Sequence, residues 1–213
     1  MISCQCPANA ALTTIPAQGC AESFGQIQKV AFQRLEASGV KNGFSTSAKI
    51  TALASWTALM AAADSTKVVV SPYIQAPTTD GGDARTFGGG NETLSGIETI
   101  IGRNPTNFTG VMRAVAQSVI KAMKALQCEA IADNLGVYLF DENGNICCIK
   151  GSATDEYHPI PIRALFIGDK QFGGLEAPDS NAIQWSFLPN YSDDLGIAVP
   201  ADFNPLTDLK PAS

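Results

Sequence analysis

Apolar and polar residues recur along this chain at two different periods, and each change of period marks the end of an element. From Asn107 to Asp133 the large apolar residues Phe108, Val111, Met112, Val115, Val119, Met123 and Leu126 return every three or four positions. That spacing predicts one amphipathic helix, with Arg113, Gln117, Lys121 and Lys124 on its other faces. The period then shortens. Leu135–Phe140 is rich in strand formers, Asp141-Glu-Asn-Gly144 supplies turn chemistry, and Asn145–Ile149 reads as the returning strand of a hairpin. A helix laid against a sheet is the expected centre of the fold.

Elsewhere the pattern predicts shorter elements. Gln26–Arg34 reads as a strand, because Val30 and Phe32 alternate with Ala31 and Gln33, although Ile27, Val30, Ala31 and Leu35 also fit a helix face. Ser45-Thr-Ser47 offers N-caps for a second helix ending near Ala63-Asp64, with Ile50, Leu53, Ala54, Thr57 and Met60 as its stripe and Trp56 and Leu59 beside it. Lys67–Gln75 is β-branched and predicts a strand, with Pro72 marking an edge or a bulge. Glu92–Ile101 predicts another strand, with Gly102–Pro105 as the turn that follows it. Ile160–Ile167 and Ala182–Leu188 are strands joined by the turn-rich Gly168–Ser180. In the second of them Ile183, Trp185 and Phe187 share a face opposite Gln184 and Ser186, so one side should be covered.

The segment Ala76–Gly90 fits neither period. It holds Pro77, Thr79, Asp80, Gly81, Gly82, Asp83, Arg85 and the run Gly88-Gly-Gly90, and a structureless loop of that length inside a domain is usually functional or disordered. A phosphate-cradling loop would end in Gly-Lys-Ser/Thr or carry Gly-x-Gly-x-x-Gly, whereas Gly90 leads into Asn91-Glu-Thr93. Two readings remain, a solvent loop and an assembly loop ordered only on a neighbouring subunit. Ordering so many glycines is entropically expensive, which predicts no single conformation for this loop in an isolated subunit.

Composition narrows the function classes. The 213 residues are 45% hydrophobic, enough for one domain with a sizeable core. A net charge of −6 without a Lys/Arg cluster argues against binding nucleic acid through its phosphates. A charged content of 16% is low for a large free surface, and is consistent either with surface buried in an assembly or with a compact monomer faced by Ser, Thr and Asn. No apolar run approaches the roughly 20 residues of a membrane-spanning helix. The first residues lack the basic and apolar stretches of a secretory signal, so free thiols are expected, and the sequons at Asn91, Asn107 and Asn190 carry no meaning.

No catalytic constellation is visible. Cys4 and Cys6 are too close for an ordinary zinc knuckle, so Cys4, Cys6 and Cys20 read as thiols rather than a metal site. His158, the only histidine, has no nucleophile motif beside it and reads as a surface residue. Asp80, Asp83, Glu92 and Glu98 lack the spacing of a cation loop. Catalytic, cofactor and metal residues are therefore all expected to be absent.

The order of strand, helix, strand, long Gly-rich loop, strand, main helix, hairpin and two last strands resembles the tail tube subunits of tailed bacteriophages. Thr79–Thr93 matches that family's long loop, and Leu135–Lys150, Ile160–Ile167 and Ile183–Leu188 match strands of its ring. The Cys-rich residues 1–20 and the helix at 46–63 have no counterpart in it. The resemblance implies an α+β fold: a β-sandwich or barrel-like sheet flanked by two helices, with a long Gly-rich loop and extended terminal arms. It implies a single domain over 1–213, with an N-terminal arm at 1–21, an assembly loop at 76–91 and a C-terminal arm at 201–213. The expected partners are further copies in stacked hexameric rings that conduct DNA, and other virion proteins, in a virion made in the bacterial cytoplasm. No membrane, cofactor or sequence-specific nucleic acid is expected. Within the loop the implied assembly residues are Thr79, Asp80, Gly81, Gly82, Asp83, Arg85, Gly88, Gly89 and Gly90. A capsid-associated or head–tail joining protein is the nearest alternative, and a soluble enzyme or ligand-binding module the more distant one.

Overall fold

The computed structural model describes residues 11, 14–19 and 23–210, so the candidate thiols Cys4, Cys6 and Cys20 and most of the N-terminal arm lie outside the described residues. The chain separates into two compact units. One, the body, comprises Phe24–Gly81 and Pro105–Ser213, and the other contains Gly82–Asn104 together with Met1–Ser23.

In chain order the body contributes β1 (Ile27–Arg34), the short pair β2 (Glu36–Ala37) and β3 (Val40–Lys41), α1 (Leu53–Ala61), β4 (Val68–Val70) and β5 (Gln75–Thr79). The inserted unit holds β6 (Ala84–Phe87), a single 3-10 turn at Leu94–Gly96 and β7 (Thr99–Arg103). The body resumes with β8 (Thr106–Arg113), α2 (Gln117–Ala125), α3 (Gln127–Ile131), β9 (Leu135–Asp141) and β10 (Ile146–Lys150). It ends with β11 (Tyr157–His158), β12 (Ile160–Ile167), β13 (Ser180–Phe187) and β14 (Leu195–Ala198). The fold is α+β, built on one large antiparallel sheet.

β9 is the strand around which this sheet is arranged. Along one edge it pairs with β1, from Arg34 opposite Leu135 to Ile27 opposite Asp141. Its other edge is shared, Leu135–Val137 going to β12 and Leu139 and Phe140 to β10. From β12 the ladder continues through β13 and β8 to β5, while β10 also carries β14 and β11. The stretch from β4 to β5 is bonded to both ends of that ladder. Val68–Val70 pairs with β1, Ser71 and Ile74 donate their N–H groups to the carbonyls of Val30 and Gln28 at 2.8 and 2.7 Å, and Gln75–Thr79 then pairs with β8.

Two apolar cores lie on opposite faces of β9, which is why every residue of that strand is buried. Leu135, Val137 and Leu139 enter the first core, where Trp185 stacks on Phe108 at a ring separation of 3.9 Å, with Ile120 and Met123 of α2 packed in. Tyr138 and Phe140 enter the second, around Trp56, whose ring lies 4.6 Å from Phe44 and 5.2 Å from Tyr138. The Trp56 Nε1–H donates to the Ile50 carbonyl at 2.7 Å, so the buried indole is satisfied. Gln33, also buried, donates to the Thr66 carbonyl and accepts from the Tyr138 hydroxyl.

Several expectations are corrected. The helix expected over Asn107–Asp133 is a strand for its first part, because Thr106–Arg113 alternates strictly and buries Phe108, Gly110 and Met112. Helix begins only at Gln117, after Ala114 takes a φ of 53° and breaks the chain direction, and it divides at Leu126 into α2 and α3. The second helix starts at Leu53 and not at the serine caps. Ser45 and Ser47 bond to each other, and Ala52 stands at the N-cap without a side-chain bond. Of the expected stripe Ile50 is buried and Leu53 and Met60 are half-buried against the second core, but Ala54 and Thr57 are exposed, and Trp56 beside the stripe is the residue the helix buries fully. The strand expected over Lys67–Gln75 is interrupted after Val70. The strand expected over Glu92–Ile101 is a 3-10 turn followed by β7, which runs on through Gly102 and Arg103. Ala76–Gly90 holds strand at both ends rather than none. The expected C-terminal arm is docked within the body, with Leu206 and Leu209 buried in the second core.

Candidate assembly arm

The unit inserted between β5 and β8 is a two-stranded ribbon. Ala84 pairs with Arg103, Arg85 with Gly102, Thr86 with Ile100 and Phe87 with Thr99, and Ile101 is an extra residue at a bulge. The base is closed by the Asn104 N–H donating to the Asp83 carbonyl at 2.8 Å. At the far end Thr93 does most of the bracing, its hydroxyl donating to the Ile97 carbonyl at 2.8 Å and accepting from the Gly89 N–H at 3.0 Å. Gly88 has a φ of 90°, and a Cβ there would fall 2.0 Å from the Thr93 methyl, so no other residue fits this turn.

The ribbon does not bury its own apolar side chains. Leu94 is 96% exposed, and Phe87, Ile97, Ile100 and Ile101 are each more than half exposed. Phe87 lies opposite Thr99 and Ile100 lies opposite Thr86, so the two project from opposite faces. Both faces of the arm are apolar and wet. Large exposed apolar side chains gathered on one element are a feature of interaction sites.

Of the residues that the resemblance placed in an assembly loop, Gly82, Asp83, Arg85, Gly88, Gly89 and Gly90 belong to this arm. Thr79, Asp80 and Gly81 belong to the body. There Thr79 pairs with Phe108, and the Asp80 N–H donates to the Asn107 carbonyl at 2.9 Å. The apolar residues Phe87, Leu94, Ile97, Ile100 and Ile101 were not among the candidates. Their signal is the apolar run from Leu94 to Ile101 beside a Gly-rich stretch that has too little apolar content to cover it.

His158 and the described cysteines lie in the body. His158 is half-buried rather than on the surface, with Nδ1 2.8 Å from the Asn42 carbonyl and Nε2 3.2 Å from a Glu156 carboxylate oxygen. The two line a shallow cleft of 340 Å³ with Lys41, Ser45, Thr46 and Thr154. The Ala153 N–H holds the Glu156 carboxyl below its usual range, with a contribution from the imidazole. Burial pushes the Cys147 thiol up to about 11 and the Cys148 thiol higher still, while Cys128 is exposed. Among the described residues no group of three or more His, Cys, Asp or Glu is placed to hold a metal ion, and no helix is long and apolar enough to cross a membrane. No protein-family model matches this chain, and no curated protein is similar enough to count as a relative.

Proposed function

We propose that this protein is a structural subunit that polymerises through its inserted arm, and specifically a tail tube subunit of a tailed bacteriophage. The observation that carries the reading is the arm itself, a ribbon with large apolar side chains on both faces, each more than half exposed. A two-stranded ribbon is marginal by itself in water. Burial against another copy supplies the stabilisation that its own contacts lack. The body fits the same role: its ladder is returned on itself by the β4–β5 stretch, which gives a barrel-like sheet flanked by helices and a rigid block for a ring. In this reading the subunit performs no catalysis, and copies assemble through the arm into stacked hexameric rings that form a conduit for DNA. A net charge of −6 suits a lumen through which a duplex slides without being held.

The test is negative-stain microscopy of the purified protein beside a variant in which Gly82–Asn104 is replaced by a short Gly-Ser linker. The full chain forms rings or tubes at high concentration, and the armless variant remains monomeric with a melting temperature close to that of the full chain. Tubes from the armless variant overturn the role given to the arm, and discrete monomers of the full chain at every concentration overturn the structural role altogether.

A further inference from the structure

We infer that Glu156 and His158 form a binding site for a divalent transition-metal ion such as zinc, in the cleft that they line with Ser45 and Thr46. The inference is independent of the assembly role proposed above.

The hydrogen-bond pattern at His158 leads to it. Nδ1 lies 2.8 Å from the Asn42 carbonyl, which can only accept, so Nδ1 carries the hydrogen. The neutral ring then turns the lone pair of Nε2 toward the Glu156 carboxylate. Nε2 and Oε1 are two acceptors facing each other across 3.2 Å, and a cation belongs between them. A proton there makes an imidazolium–carboxylate bond, for which about 2.7–2.9 Å is usual. A tetrahedral zinc ion with bonds of about 2.0–2.1 Å holds two ligand atoms about 3.3 Å apart, which is closer to the separation found here.

Both side chains are oriented as metal ligands are. A ligating histidine ties its other ring N–H to a carbonyl or a carboxylate, and a ligating carboxylate is hydrogen-bonded in turn. Here Nδ1–H is tied to Asn42, and Oε2 of Glu156 accepts the Ala153 N–H at 2.9 Å. Two glycines make room for this arrangement. A Cβ on Gly43 would fall 2.7 Å from Nδ1, and one on Gly151 would fall 2.4 Å from the Glu156 carboxyl carbon. Phe44 and Tyr157 exchange backbone hydrogen bonds at 2.7 and 3.1 Å, which pins β11 to the segment that carries Asn42. The pair supplies two ligands, so water from the cleft completes the coordination. The exposed Lys41 on the same cleft opposes a cation and keeps the site weaker than a four-ligand structural zinc.

His158 is the only histidine, so zinc titrated into the full chain is followed on a single imidazole by proton–nitrogen NMR, after the accessible thiols have been alkylated with iodoacetamide. The Nε2 resonance shifts and saturates at one zinc per chain, while Nδ1 keeps its proton. Glu156→Gln keeps the shape and loses the charge, and Glu156→Asp keeps the charge and falls one methylene short. Each weakens binding about tenfold or more and melts with the wild type. An imidazole that does not respond to zinc, or a Glu156→Gln protein that binds as tightly as the wild type, overturns the site and leaves an ion pair closed by a proton. Wild-type affinity in Glu156→Asp also overturns it, because charge alone then accounts for the binding. Cobalt(II) reads the same site without any variant. Line broadening centred on Glu156 and His158 supports the site, and broadening centred elsewhere overturns it.

Discussion

The Lys29 ammonium donates to the backbone carbonyl of Leu209 at 2.6 Å, so a nearly buried cation near the start of the sheet holds the end of the chain. It also donates to the Leu206 carbonyl at 3.1 Å and lies 5.5 Å from the centre of the Tyr73 ring, whose hydroxyl reaches the same Leu206 oxygen. Lys29→Met keeps the stem and removes the donor. Leaving a buried carbonyl unpaired and losing a charge-assisted bond should lower stability by about 2 kcal/mol. Denaturant unfolding of the variant checks this, and the wild-type midpoint in the variant would contradict it.

The same lysine gives a pH dependence of definite sign. Burial, with a smaller contribution from Lys210, holds its pKa below the ordinary 10.5. Between the lowered folded value and 10.5 the unfolded chain binds more protons than the folded one, so this group makes stability rise with pH through that window. Cys147 acts in the opposite sense. Its thiol is raised from 9.0 to about 11 by burial, so its contribution is complete below pH 9 and is lost as pH climbs toward 11. The difference between wild type and Lys29→Met isolates the lysine. That difference should grow with pH below 10.5, and a flat difference would contradict the assignment.

The thiols should differ in reactivity for the same reason. At pH 8 Cys128, which is exposed, should be alkylated quickly, and Cys147 and Cys148, which are buried and held protonated, should react only in denaturant. Site-resolved mass spectrometry after brief alkylation reads this out, and fast labelling of Cys147 in the native protein would contradict the buried position of β10.

Within the first core, Ile120 is 1% exposed and Val115 is only partly buried against it. Ile120→Ala should therefore lose about 2–5 kcal/mol and Val115→Ala about 1 kcal/mol. Equal losses at the two positions, measured by chemical denaturation, would contradict the difference in burial between the two side chains.

The single long helix expected over Asn107–Asp133 shows where sequence periodicity runs out. Phe108 and Met112 are four residues apart, a spacing that suits one face of a helix and, as an even number, one face of a strand. Gly110 between them is buried, and its Cβ would fall 2.5 Å from the Ile74 side chain, so the position that decides the period is the one without an apolar side chain to read. The hairpin of β9 and β10 was legible because its turn is local. The Asp141 carboxylate accepts the N–H groups of Asn143 and Asn145 at 2.9 and 2.7 Å, which the residue types announce. Strand β12 was legible end to end. The double burial of β9 and the docked C-terminal segment were not, since both depend on which distant segment arrives on which face. In the arm the glycines were legible only as a loop, and neither the strand among them nor the role of Leu94, Ile97 and Ile100 was. An apolar residue records that it is to be buried and does not record by whom.

Charge leads to a further expectation. At physiological salt the protein should leave a DNA duplex unshifted in a gel at low micromolar concentration, because a net charge of −6 without a basic cluster gives no phosphate-neutralising surface. A shift that weakens as salt is added would contradict it.

The most direct test of the account is amide exchange across Thr86–Ile101, compared between dilute monomer and assembled protein. A two-stranded ribbon with both faces in water opens readily, so these amides should exchange within seconds in the monomer. In the assembly they should be protected by orders of magnitude. Exchange in the arm that is already slow in the monomer, or equally fast in both states, would contradict the claim that this arm exists to be covered by another copy.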